Sequence, residues 1–271
     1  MTDASRFVLT KEHTRFAEFC DACRRYRYIG LCYGQPGVGK TLSARHYAVW
    51  DHVEKANSEA AATRRNDPRP PLKSLQPVLN CRTVFFTPKI TNSALIINSQ
   101  LHSVRTALGR RIEEFHERWG EELPRRLPRE YTELIIIDEA DRLKVPTLEQ
   151  LRAIYDEDRL GLVLIGMPGI EKKLSRYAQL YSRVGFVHQF RTLTGEELQS
   201  IIEHRCRELF PAVDKPDAEA IGTIGRITGG NFRLMERLFD QIQRIVEINE
   251  LDCISADLVQ AARETLVIGV S

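Results

Sequence analysis

Eight consecutive residues, Gly34-Gln35-Pro36-Gly37-Val38-Gly39-Lys40-Thr41, set three glycines, a lysine and a hydroxyl at the spacing of the Walker A pattern. Glycines remove Cβ atoms, so successive backbone N–H groups can surround a phosphate. A helix beginning at the lysine adds the positive end of its dipole. Lys40 would then address the β- and γ-phosphates of ATP, and the Thr41 hydroxyl would ligate Mg²⁺. Gln35 is a peripheral member of the same loop. Further on, Leu134-Ile135-Ile136-Ile137-Asp138-Glu139 is an apolar run ending in two acids, the Walker B arrangement. It reads as a buried strand that delivers carboxylates at its polar end. Asp138 would hold the hydration shell of the metal, and Glu139 would orient or deprotonate the attacking water. The plainer reading, an acidic helix start that includes Asp141, leaves the preceding strand and the glycine loop unexplained.

Elements of defined type must hold these residues. Residues 28–33 (YIGLCY) read as a short buried strand, and TLSARHYAVWDHV after the loop has helical apolar spacing. Residues 54–80 cluster Pro and small polar groups and are expected to form a surface insertion whose first turns prolong that helix. A second strand is expected at 82–88, a helix over 92–117, an irregular stretch at 120–133 with two prolines, a third strand at 133–138 and a fourth at 160–166. Between the last two, a helix should begin after Pro146, with Thr147-x-x-Gln150 as a capping box. FVHQF at 186–190 reads as a last short strand. From Thr194-x-x-Glu197, a second possible capping box, the pattern is helical to the end. This organisation predicts an N-terminal segment with a short helix (1–27), a parallel α/β core (28–192) and a small helical lid (193–271).

Composition narrows the partners only a little. With 39 basic and 37 acidic residues the 271-residue chain carries a formal +2, which by itself demands no nucleic acid. Thirty of the basic residues are arginine, a choice that suits bidentate phosphate contacts but also follows from base composition. Residues 64–82 carry Arg64, Arg65, Arg69, Lys73 and Arg82 against Asp67. Residues 89–111 carry Lys89, Arg105, Arg110 and Arg111 without an acid. Each strip is either a phosphate-contacting face or a solvated surface. Of six cysteines only Cys20-x-x-Cys23 has metal or redox spacing. No second pair completes a zinc set, so ordinary reduced cysteines are expected. No run approaches 18 apolar residues, and MTDASRF lacks a secretion profile. A cytoplasmic protein without membrane spans is the expectation.

GQPGVGKT, LIIIDEADRLK at 134–144 and TGGNFRLMERL at 228–238 resemble the AAA+ ATPases, whose αβα core carries a helical lid. More narrowly, IIIDEADRLK with LVLIGMPGIEKKL and YSRVGFVHQF resembles the transposition regulators of the TniB, TnsC and MuB group. That resemblance implies an ATPase that assembles as a homo-oligomeric ring or filament on double-stranded DNA and licenses a target for a transposase, with a target-selection protein as a further partner. It places Arg183 at the arginine-finger position, with Arg176 the weaker candidate, and Arg233 at sensor II. It also turns the region after the second strand toward a DNA channel, through Lys89 and Arg105 and, further along, Arg110 and Arg111. Where the family offers a polar sensor I residue this chain has Gly166-Met167-Pro168, which implies slow hydrolysis without DNA or a partner. A clamp-loading or replication remodeler and a nucleotide-gated protein switch are the alternatives.

Overall fold

The computed structural model describes residues 7–63, 76–119, 126–210 and 217–266. Contacts divide the chain into two units, one of residues up to 34 together with 40–189, the other of residues 35–39 together with 190 onward.

The first unit is built on five parallel strands: β1 (Ile29–Tyr33), β2 (Thr83–Phe86), β3 (Leu134–Ile137), β4 (Gly161–Gly166) and β5 (Val184–Gln189), in the order β2-β3-β4-β1-β5. β1, β3 and β4 are buried nearly throughout because helices cover both faces. β5 alternates between half-buried and exposed positions, as an edge strand does. Ile29 and Leu31 of β1 join Ile135, Ile137, Leu162 and Leu164 on one face. Against them pack α4 (Ala94–Trp119), α5 (Val145–Asp158), α6 (Ile170–Leu174) and α7 (Ala178–Tyr181), through Leu101, Leu151, Ile170 and Leu180 among others.

α1 (Lys11–Tyr26) covers the opposite face. A Cβ on Gly30 would lie 2.3 Å from the Cys23 sulfur and 2.6 Å from the Phe19 ring, so only glycine lets the helix sit this close to β1. Cys20 and Cys23 are therefore packing groups inside a 16-residue helix, longer than the short one expected. Burial pushes the Cys23 thiol up to about 12 and raises that of Cys20 as well, which keeps both protonated and unreactive.

The helix expected after the glycine loop is two helices, α2 (Lys40–Tyr47) and α3 (Trp50–Thr63), separated at Val49, whose φ is +49°. α3 carries the helix far into the expected insertion. Residues 64–75, with the basic residues Arg64, Arg65, Arg69 and Lys73, lie outside the described residues. Neither capping box forms. The helix start after Lys144 places Thr147 inside α5, fully buried, where its hydroxyl donates to the Asn92 Oδ1 at 3.2 Å. Thr194 precedes its helix without a side-chain cap.

The second unit contains α8 (Gly195–Leu209), α9 (Ala218–Thr228), α10 (Phe232–Asn249) and α11 (Ala256–Glu264). α10 buries Met235, Leu238, Phe239 and Ile242 along one stripe. Arg205 of α8 is also buried in this unit, paired with both oxygens of Glu236 of α10 at 2.8 and 2.9 Å. Gly230, with φ +74°, is needed before α10, since a Cβ there would meet the Leu193 carbonyl at 2.1 Å.

Candidate nucleotide site

Parallel strands align their carboxyl ends, and the register puts the chemistry there. Tyr33 lies beside Gly166, and Ile137 beside Leu164, so the chain leaves the sheet into Gly34, Met167 and Asp138 along one edge. In a sheet of this kind that edge is where ligands bind.

α2 opens at Lys40, which is 9% exposed and donates from Nζ to the Gly34 carbonyl at 2.6 Å. The Thr41 hydroxyl donates to Asp138 Oδ2 at 2.7 Å. Asp138 is itself buried; its backbone N–H continues the ladder to the Phe86 carbonyl at 2.9 Å, and its Oδ1 accepts from the Glu139 N–H at 2.9 Å. The two motifs thus meet at a hydroxyl and a carboxylate, hard oxygen donors of the kind Mg²⁺ takes. Gly37 and Gly39 have φ of +80° and +105°, the conformations that let backbone N–H groups curl around an anion. The residues present therefore fit a nucleoside triphosphate with its metal.

Glu139 follows in a left-handed conformation (φ +49°) and is ion-paired with Arg142. Arg142 also donates to the Pro88 carbonyl at 3.2 Å. That carbonyl belongs to the segment after β2, which Asn92 anchors by donating to the carbonyls of Lys89 at 2.9 Å and Arg142 at 3.3 Å. The i, i+3 spacing of Glu139 and Arg142 is a legible ion-pair signal that the sequence reading passed over; the link to Pro88 has no local signal. Asp141 belongs to the site's framework as well. Its carboxylate accepts from the Met167 N–H at 2.8 Å, a charged group at the end of β4 where the family's polar side chain is missing.

Within the second unit the loop residues Pro36 and Gly37 are tied to the start of α10. Asn231 caps that helix by accepting from the N–H groups of Arg233 and Leu234, and its amide donates to the Pro36 carbonyl at 2.7 Å. The Arg233 N–H also donates to the Gly37 carbonyl at 3.2 Å. The backbone of Arg233, the residue read as sensor II, thus lies beside Gly37 within this unit, and Asn231 is a positioning residue for Pro36 that the TGGN motif contained without revealing. Gln35 and Pro36 are exposed, while Val38 is buried.

Arg183 lies between α7 and β5, where Nε and Nη2 grip both oxygens of Asp156 at 2.7 and 2.9 Å; Arg176 is exposed. The basic strip after β2 does not survive as a strip. Arg105 is 5% exposed and pairs with Asp158 at 2.5 Å, with a further bond to the Arg129 carbonyl. It braces α4 against α5 and cannot reach an external phosphate. Arg111 is largely covered and pairs with Glu114. Lys89 and Arg110 are exposed. Arg82 of the other strip donates to the carbonyls of Leu79 and Cys81 and lies over the Tyr131 ring.

The placement of the glycine loop after β1 and the acids after β3, with β4 between those strands, defines a P-loop ATPase. The AAA domain family model matches residues 23–174, more than half of the chain, and the chain belongs to that family. It is 47% identical to a "Potential ATP-binding protein" of Staphylococcus aureus over the full length of both. It is 29% identical over 166 residues to the ATP-dependent target DNA activator B of Escherichia phage Mu, a match covering 58% of this chain and 42% of that protein. Similar identity over 115 residues, 39% of this chain and 38% of the relative, links it to the Mu-like prophage FluMu DNA transposition protein B of Haemophilus influenzae. The fold is shared with the Thermotoga maritima RuvB Holliday junction branch migration motor (TM-score 0.58, 19% identity, 98% of this chain and 72% of that one). It is also shared with the Aeropyrum pernix ORC1 protein solved with DNA (TM-score 0.59, 18% identity, 97% and 67%). Among the described residues no helix is long and apolar enough to cross a membrane.

Proposed function

We propose that this AAA+ ATPase binds duplex DNA as an ATP-dependent homo-oligomer and licenses that DNA as a target for a transposase. The observation that carries the reading is the 166-residue similarity to the phage Mu target DNA activator, over 58% of this chain, beside a Thr41–Asp138 pair and a buried Lys40 that suit ATP. Lys40 would hold the β- and γ-phosphates, with the N–H groups of residues 37–41 around them, and Thr41 with Asp138 would hold Mg²⁺, which would neutralise charge on the transferred phosphoryl group. Glu139 takes the proton of the attacking water once it leaves Arg142. Arg233 reads the nucleotide from α10, and Arg183 acts on the nucleotide of a neighbouring copy. Met167 offers no side-chain hydrogen bond to that water, which supports slow turnover in the isolated subunit.

Electron microscopy with ATP, ADP or no nucleotide, each with and without duplex DNA, tests the reading. ATP-dependent rings or filaments on DNA are expected. Nucleotide-dependent assembly that ignores DNA replaces it with a protein-directed switch, and discharge of a partner ring during hydrolysis replaces it with a remodeler.

A further inference from the structure

The finger candidate is not held ready for a phosphate. Its backbone is fixed: the Arg183 N–H donates to the Leu180 carbonyl, and the Arg183 carbonyl accepts from the Ile29 N–H at 3.1 Å. Its side chain grips Asp156 through Nε and Nη2, and Nη1 donates to the Gln179 carbonyl. The side-on fork is the geometry a guanidinium also uses on a phosphate, and here a carboxylate occupies it and cancels the charge. Asp156 has a second cation: Arg152, one turn back on α5, donates to Asp156 Oδ2 at 2.9 Å and is steadied by Glu149 at 2.9 Å. If Arg183 leaves, Asp156 is still paired.

We infer that Asp156 masks Arg183 in the free subunit, and that assembly exchanges this carboxylate for the triphosphate of a neighbouring copy while Arg152 keeps Asp156 compensated. The inference rests on the reading of Arg183 as a finger acting in trans. The pair is about one-third exposed on both sides, so the mask is weak and its removal is worth roughly twofold to fivefold in the concentration at which the protein assembles. A stronger mask would be a structural ion pair; one this shallow can be opened by binding a neighbour's nucleotide. Asp156 is thus a positioning residue that sets when the finger becomes available.

Sedimentation velocity across protein concentration, with ATP or ADP, tests it on the full chain. Asp156→Asn lowers the half-assembly concentration about twofold to fivefold with ATP, leaves it unchanged with ADP, and has no effect in an Arg183→Ala background. Asp156→Glu, which restores the carboxylate, returns the midpoint toward wild type. Arg152→Gln does the reverse of Asp156→Asn, because Asp156 then has Arg183 alone and holds it more firmly. An unchanged or raised midpoint in Asp156→Asn, or a gain that persists without Arg183 or with ADP, overturns the mask. Should Asp156→Asn not fold, a midpoint in Arg152→Gln equal to or below wild type overturns it by itself. The finger reading fails separately, when Arg183→Ala alone assembles and hydrolyses ATP as wild type does.

Discussion

Lys40 and Arg105 are both cations buried in the sheet-bearing unit, 9% and 5% exposed, and both stood out in the sequence as phosphate ligands. Lys40 bonds a carbonyl six residues away; Arg105 pairs with a carboxylate 53 residues away. The first position follows from the backbone of one eight-residue loop, whose glycines and helix start are written in order. The second depends on which residue of α5 faces α4, and counting charges along α4 carries no information about that. A motif encodes geometry, whereas a basic strip encodes only a net charge that tertiary pairing can cancel.

The largest effects fall on the motif side of this comparison. Lys40→Ala should leave the fold intact and weaken ATP binding measured by calorimetry, and ATP turnover should drop by about 100-fold or more. Unchanged affinity in a folded variant would break the comparison at its stronger end. Glu139→Gln keeps the size of the side chain but removes the base, so ATP should bind while hydrolysis falls by roughly 10²–10⁴ and assembled complexes persist. Equal steady-state turnover with DNA present would reject Glu139 as the base.

Legibility elsewhere followed the same division. β1, β3 and β4 were readable because buried apolar runs of four to six residues, bounded by turns or charges, are what a parallel sheet covered on both faces takes. β5, read at 186–190, lies at Val184–Gln189 and alternates as an edge strand does. The two failed capping boxes were not, because Thr147 has the right neighbours in sequence but lies one turn inside α5, held by Asn92 from across the unit. The break at Val49 was equally silent, since nothing in AVWDHV demands a positive φ. In the site, Lys40, Thr41, Asp138 and Glu139 could be named from spacing, as could the Glu139–Arg142 pair, whereas Asn231 reaches Pro36, Arg142 reaches Pro88 and Asp156 reaches Arg183 only once the chain has folded.

Arg105→Ala sharpens the comparison from the other side. It leaves Asp158 without its buried partner and should cost about 1–3 kcal/mol of stability, read by chemical denaturation. DNA affinity of the remaining folded protein should not change. A weakened affinity at undiminished stability would return Arg105 to the DNA surface, against its burial.

The smallest effect belongs to the exposed survivor of the strip. Lys89 lies in a segment held rigidly at Pro88 and Asn92, so its ammonium is displayed on a fixed support and ordering it costs only side-chain freedom. If it meets a phosphate, Lys89→Ala releases about one counterion fewer, and the slope of log affinity against log salt should flatten by about 0.9 for duplex DNA of any sequence. Stability should stay within about 0.5 kcal/mol of wild type, because an exposed lysine anchors nothing in the core. Arg110, exposed on α4, provides the comparison residue: a second flattening of similar size in Arg110→Ala would mark a continuous surface, and none would confine contact to the loop after β2. Titration of ATP-loaded protein of matched oligomeric state at several salt concentrations separates these outcomes. An unaltered slope in Lys89→Ala removes Lys89 from the DNA site and leaves Arg110 as the remaining exposed candidate of residues 89–111.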